Sequence, residues 1–322
     1  MIRGITLVLL FFFAAALAAP AQQAAPCLER TIPVSVASND GSPTPELTAA
    51  VLKGMYDKKP VMVKSVEMEK IPPRVIFLVD TSGSMQGNGG LSADAAEDVL
   101  SQLPGNVEVG LALFSAELHP MLTPTKDHTR LIDRLDAVSR LSRFDKGHTA
   151  LWAAVRDSLK MFGSPRLGDS IYLISDGADN SSNTNASEVG GFLASSGVRL
   201  FAFILEHPFG IRSRTPEELV GPDLFRGATR LSGGTTFFVP VPDQPYKYRI
   251  DLADKNGKPT QIAQGIQKQV GQMVGFYRVE ITLPQGLKKP KSWKLDFASL
   301  DKLQQDRFEL SYPTLLTPCG QS

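Results

Sequence analysis

Asp80-Thr81-Ser82-Gly83-Ser84 follows the apolar run Val75 to Val79 and sets a carboxylate and two hydroxyls at alternate positions of a tight turn. Ser175-Asp176-Gly177-Ala178-Asp179 repeats the theme after a second apolar run, Ile171 to Ile174, with Gly177 free to make a sharp exit. Gly147-His148-Thr149-Ala150-Leu151 adds one more hydroxyl where an amphipathic stretch begins. Three separated segments therefore offer hard oxygen donors, without a cysteine and without an obligatory histidine. That donor chemistry suits magnesium, manganese or calcium far better than zinc or copper. Each residue alone has a plainer role: Asp80 as a turn aspartate, Thr149 as a helix N-cap, Ser82 and Ser84 as turn hydroxyls. Their joint occurrence at strand ends favours the metal site. Asp179 is read as a structural cap on its loop, and His119, His128 and His207 lie scattered without metal spacing.

Such groups must be held by elements that end near one another. From Val75 onward the chain alternates strand, Gly- or Ser-rich loop and helix, the rhythm of a mainly parallel sheet covered by helices. Val75 to Val79, Val107 to Phe114, Ile171 to Ile174, Val198 to Leu205 and Thr235 to Val239 are apolar, β-branched runs of strand length. Ala96, Val99, Leu100 and Leu103 form one helical stripe, Leu151, Val155, Leu159 and Phe162 a second, and Thr215-Pro216-Glu217-Glu218 opens a third helix. A doubly wound α/β domain is expected, and in such sheets ligands gather beyond the carboxyl ends of the strands.

The flanking segments follow a different period. Ile32 to Val36 and Val61 to Val66 read as strands before the α/β unit. After it, Tyr277, Val279, Ile281 and Leu283 share one strand face, and Trp293, Leu295, Phe297 and then Phe308, Leu310, Tyr312 repeat the pattern. Neither set has enough strands to cover its own apolar face, so the two should pack together as one discontinuous β-sandwich. The expected organisation is a signal peptide over 1–21, a β segment over 28–73, the α/β domain over 74–274 and a second β segment over 275–319 that packs with the first.

The oxygen-donor set resembles the metal-ion-dependent adhesion site of the von Willebrand factor type A (VWFA) family. There a D-x-S-x-S loop, a distant threonine and a distant aspartate hold one divalent cation, usually magnesium, and a partner's carboxylate completes its coordination. Asp80, Ser82 and Ser84 match the first piece, Thr149 the second and Asp176 the third. The resemblance implies a Rossmann-like fold over roughly residues 74 to 240 and the following helix, a Mg2+, Mn2+ or Ca2+ cofactor, a protein or peptide partner supplying Asp or Glu, and no catalysis. It also points to Met85-Gln86-Gly87-Asn88 and His148 as rim, and to Gln261 to Gly275 as the place to look for movement of the last helix. The wider arrangement is similar to a secreted bacterial group of VWFA-related proteins typical of acidobacteria.

Other classes were weighed on the same residues. A haloacid-dehalogenase-like phosphohydrolase would need a second acid two residues after Asp80, where this chain has Ser82. Asp80-Thr81-Ser82 lacks the glycine of an aspartic-protease turn, and no second such motif follows. A secreted scaffold that binds through its β-sandwich edge is the remaining alternative.

Composition bounds the rest. With 34 Lys+Arg against 33 Asp+Glu in 322 residues the formal charge is +1, which gives no pull towards nucleic acid. At 42% hydrophobic and 21% charged residues, the chain can fill a full core plus a smaller one. Arg3, the run Ile5 to Leu17, and the small residues Ala16-Leu17-Ala18 or Ala19-Pro20-Ala21 read as a cleavable export signal, leaving no stable membrane span. A monomer in the periplasm or outside the cell is expected. Cys27 and Cys319, in that oxidising space, could join the two ends of the mature chain; two unpaired thiols are the alternative.

Overall fold

The computed structural model describes residues 28–140, 147–206, 216–241, 251–285, 287–298, 300 and 306–318, with the backbone alone over 216–220. The signal segment and the expected Cys27–Cys319 pairing lie outside the described residues. Strand β1 (Glu29–Ser38) is followed by β2 (Leu52–Tyr56) and β3 (Lys59–Val61), joined through Asp57 and Lys58. Both turn residues take left-handed backbone, φ 46° and 62°, the pair of conformations whose twist matches a two-residue hairpin. The single strand expected over Val61 to Val66 is broken at Met62, and β4 (Val63–Met68) starts after it.

The central unit then runs β5 (Arg74–Asp80), α1 (Gly89–Gln102), β6 (Glu108–Phe114), β7 (Leu118–Thr125), α2 (His128–Ser139), α3 (Leu151–Ser158) and β8 (Ser170–Ser175). It continues with α4 (Ala186–Ser196), β9 (Arg199–Glu206), α5 (Pro216–Ser232), β10 (Thr236–Pro240) and α6 (Gln261–Val274). The sheet order is β10-β9-β8-β5-β6-β7, parallel throughout except for β7. Alternate residues of β5 explain why its sequence is apolar without a break. Val75, Phe77 and Val79 enter the core shared with α1, α2 and α6, while Ile76 and Leu78 enter the core shared with α3, α4 and α5. β7 was not expected from the sequence. It carries Pro120 and Pro124, which a central strand would exclude but an edge strand tolerates.

Last come β11 (Tyr277–Thr282), β12 (Lys291–Ser292), β13 (Lys294–Phe297), β14 (Phe308–Ser311) and β15 (Leu315–Leu316). One sheet is ordered β14-β1-β11-β4 and another β13-β2-β3, so both mix strands from before and after the central unit. β1 pairs first with β11, from Glu29↔Thr282 to Val34↔Tyr277, and then with β14 from Ser35↔Ser311 to Ser38↔Phe308. Ile32, Val34, Leu52, Val279, Ile281 and Leu295 fill the core they share.

This β unit grips the C-terminal ends of three helices. Arg30 donates to the carbonyls of Ala194 (3.3 Å) and Ser195 (2.6 Å) at the end of α4, and Thr314 N–H donates to Arg230 O (3.1 Å) near the end of α5. Near the end of α6, Gln272 Nε2 donates to Ser311 Oγ at 2.9 Å. In a parallel sheet with helical crossovers those helix ends lie beside the starts of the strands. The carboxyl ends of β5 and β8, where the oxygen donors sit, are therefore the end that the β unit leaves uncovered.

Candidate metal centre

Asp80 is the last residue of β5 and is 1% exposed. Its position is enforced by pairing on both sides, with β6 at Phe114 and with β8 one residue earlier at Ile174. One carboxylate oxygen accepts from Ser82 N–H at 2.9 Å, closing the tight turn that the sequence suggests. The other accepts from Ser175 Oγ at 2.6 Å, across the β5–β8 boundary. Ser82 Oγ and Ser84 Oγ stand 3.1 Å apart, so the two hydroxyls of the loop converge. Thr81 turns the opposite way and donates to Phe114 O at 3.0 Å, fastening the loop to β6.

Thr149 belongs to a different loop, whose place is set by three hydrogen bonds to the segment after Asp176. Thr149 N–H donates to Asn180 Oδ1 at 2.9 Å, and Thr149 O accepts from the N–H groups of Asn180 (3.0 Å) and Ser181 (3.1 Å). Ala150 N–H then reaches Ser115 O at 2.8 Å beyond the end of β6. Thr149 is buried but is not the N-cap of α3, a place taken by Ala150. Asp176 follows β8 directly, and Oδ1 accepts from Ala178 N–H at 3.2 Å while Gly177 turns the chain with φ 92°. All five sequence-selected donors, Asp80, Ser82, Ser84, Thr149 and Asp176, thus lie on loops at one end of the sheet, and hydrogen bonds tie those loops together.

Electrostatics separates this place from an ordinary polar turn. Burial, with the nearby charge of Asp176 next in importance, pushes the Asp80 carboxyl up to about 7 even though Ser175 and Ser82 donate to it. Every group acting on Asp80 among the described residues is a carboxylate, a hydroxyl or a backbone amide. Asp179, read as a cap, accepts from Leu151 N–H (3.0 Å) at the start of α3 and from Ser182 Oγ (2.7 Å). Its half-buried carboxyl is raised by desolvation against those bonds. Among the described residues no group of three or more His, Cys, Asp or Glu is placed to hold a metal ion.

Two rim expectations need correction. Met85 is 0% exposed and packs with Val79, Leu91 and the rest of the α1-side core, because the short 3-10 turn Gly83–Met85 rotates it inward. Asn88 is likewise buried, whereas Gln86, Gly87 and His148 are exposed. Sequence reading also missed two supporting residues. Ser175 carried a signal, a hydroxyl closing an apolar buried strand, but Asn180 carried none because its partner is thirty-one residues away.

Residues 75–178 match the family model of the von Willebrand factor type A domain. The chain is similar in structure to the conserved hypothetical protein BatB from Bacteroides thetaiotaomicron, at 18% identity over 62% of this chain and 98% of that one, with a TM-score of 0.45. It is similar to a von Willebrand factor type A protein from Catenulispora acidiphila at 11% identity, over 92% and 74% of the two chains, with a TM-score of 0.45. For an aerotolerance-related membrane protein from Bacteroides fragilis the identity is 17%, the shares are 62% and 99%, and the TM-score is 0.42. No curated protein matches.

Proposed function

We propose that this chain, whose central unit is a von Willebrand factor type A domain, is an exported adhesion-type module that captures a protein or peptide carboxylate through a divalent cation held by Asp80, Ser82, Ser84, Thr149 and Asp176. The observation that carries this is the buried Asp80 carboxyl, whose ionisation burial and the nearby charge of Asp176 both oppose and which only hydroxyls and a backbone amide support among the described residues. A divalent cation would relieve that opposition. The two hydroxyls converge within 3.1 Å, and hard oxygen donors of this kind would suit magnesium, manganese or calcium. When bound, the cation supplies an electrophilic position for an incoming Asp or Glu oxygen. The protein's own residues orient the loops around it: Ser175 and Ser82 N–H hold the Asp80 carboxylate, and Asn180 holds Thr149. Export rests on the basic and apolar first segment, and among the described residues no helix is long and apolar enough to cross a membrane. A binding module without catalysis fits Ser82 in the place where a haloacid-dehalogenase-like phosphohydrolase would need its second acid.

The test is calorimetric titration of magnesium, manganese and calcium into the mature protein and into Asp80→Ala. Saturable binding, tightest for magnesium and lost in a variant that keeps its circular dichroism spectrum, is the expected outcome. Equal binding by the variant, or no heat and no thermal stabilisation of the native protein by any of the three ions, would sink the proposal in favour of the scaffold.

A further inference from the structure

A cleft of about 1180 Å³ runs along the outer side of α6, between that helix, the far end of β1 and the start of β10. It lies at the junction with the β unit, where the strands begin, away from the loops that carry Asp80 and Asp176. Its charged groups are already matched. Lys268 Nζ lies 2.7 Å from Glu309, and Arg307 Nε lies 2.7 Å from Asp40. What remains to address an occupant is neutral, namely the exposed carboxamides Gln261 and Gln267 and the oxygen of Gln264, whose Nε2 donates to Pro259 O at 3.2 Å. A carboxamide both donates and accepts, which suits the alternating groups of a peptide backbone. A sugar ligand would want an open aromatic face, and Phe237 does not give one. Its ring lies against Gly265 so closely that a Cβ there would be 2.4 Å from it.

The cleft also reaches the start of a strand edge that no described strand pairs. β10 is the outermost strand of the central sheet. Ala202 N–H donates to Thr235 O at 3.0 Å and Val241 N–H to Glu206 O at 2.8 Å, so residues 235 and 241 face β9. Alternation then turns the backbone groups of Thr236, Phe238 and Pro240 outward. Pro240 has no N–H, so the donors on that edge are Thr236 and Phe238, and Thr236 lines the cleft. An edge beside a polar, electrically neutral wall is the setting in which an extended peptide adds as a further strand, backbone bonds giving affinity and side-chain contacts giving selectivity.

We infer that this cleft is a second binding site, separate from the metal centre, which takes an uncharged extended segment of a partner protein as a strand added to β10. Two substitutions test it. Nothing lies within 4 Å of a Cβ built at Gly271, on the exposed side of α6, so Gly271→Trp starts a bulky side chain from open space in the cleft. Thr236→Pro removes an outward N–H that no sheet bond uses, together with the 3.0 Å contact between the Thr236 and Thr229 hydroxyls.

A random dodecapeptide library displayed on phage is panned against the mature protein in EDTA, which silences the metal centre, and synthetic peptides of the enriched sequences are titrated. The expected result is a family of uncharged peptides whose affinity falls about tenfold or more in Gly271→Trp and in Thr236→Pro and is unchanged in Asp80→Ala. Circular dichroism and thermal unfolding confirm that both cleft variants are folded. No enrichment, enriched peptides that bind both folded variants as tightly as the native protein, or loss in Asp80→Ala instead would overturn the inference. Loss in Gly271→Trp alone would overturn the strand-addition part.

Discussion

Asp80 and Asp169 are both buried, at opposite ends of the same sheet, with 1% and 0% exposure, and they are treated in opposite ways. Asp169 lies just before β8 and is enclosed by positive charge and donors. Arg74 gives it a backbone N–H (3.0 Å), Nε (3.2 Å) and Nη2 (2.6 Å), and Arg166 adds a backbone N–H at 2.8 Å. The same guanidinium also donates to the carbonyls of Phe162 and Ser164, each at 2.7 Å, and sits over the Phe162 ring. Among the described residues Asp80 is supported only by the Ser175 and Ser82 hydroxyls and the Ser82 backbone amide, and it faces a second carboxylate. Burial alone therefore says little about role. A carboxylate buried for architecture brings its own cation, whereas one buried beside another carboxylate leaves charge for something from outside to neutralise.

The largest expected effect breaks the satisfied end. Arg74→Ala takes from the buried Asp169 its closest cation, at 2.6 Å, and leaves Arg166 at 3.8 Å as its remaining ion-pair partner among the described residues, which costs about 3 kcal/mol. Denaturant unfolding in EDTA should show that loss. Asp80→Asn in the same buffer should show none, because it removes a charge that no cation among the described residues balances. Comparable losses in the two variants would erase the distinction between the ends.

A smaller effect is a pH slope carried by Asp80. Its folded value of about 7 lies above the ordinary aspartate value of 3.8, so between those limits the native state keeps a proton that the unfolded state has shed. The metal-free protein should therefore be more stable at about pH 5 than at about pH 7.5, losing about 1.4 kcal/mol for each unit that separates the two values within that window. Asp98 adds a slope of the same sign, being pushed up to about 6 by burial and by Asp94 and Glu97. Thermal unfolding in EDTA at both pH values should show the slope, and Asp80→Asn should remove only its own share. Saturating magnesium should flatten that share too, since cation binding favours the ionised pair. A slope that survives Asp80→Asn unchanged would place the titration elsewhere.

How far each end could be read from sequence follows from how local its interactions are. The oxygen donors proposed to hold a cation stand out in the sequence because Asp80, Ser82 and Ser84 share one turn and Asp176 follows an apolar strand. The parallel strands were legible because burial on both faces makes them uniformly apolar. Edge strand β7 was not, since Pro120 and Pro124 contradict strand propensity and only its place beside β6 excuses them. α4 was obscured by Gly190 and Gly191 in its middle, although Asn185 and Glu188 form a capping box at its start. Arg199 was hidden for a tertiary reason. It looks like a charge inside an apolar run, yet it is fully buried and donates to the carbonyls of Gln272 (2.7 Å) and Met273 (2.6 Å), more than seventy residues on. Those contacts hold the end of α6, the helix that the resemblance had marked as mobile.

The finest comparison lies inside one loop, between two asparagines with similar bonds and different duties. Asn180 holds Thr149 from both sides, accepting from its N–H at 2.9 Å and donating a backbone N–H to its carbonyl at 3.0 Å. Asn185 accepts from Glu188 N–H at 3.0 Å and caps α4. Replacing either by alanine removes one side-chain acceptor and costs about 1 kcal/mol of stability. Only Asn180→Ala frees the loop that presents Thr149, so magnesium affinity should drop severalfold in that variant and stay level in Asn185→Ala. Parallel calorimetric titrations on the two proteins read the difference at matched stability. Equal affinities would mean that Thr149 is held well enough by its backbone bond to Ser181 and by the Ala150 bond to Ser115, and that Asn180 serves the fold alone.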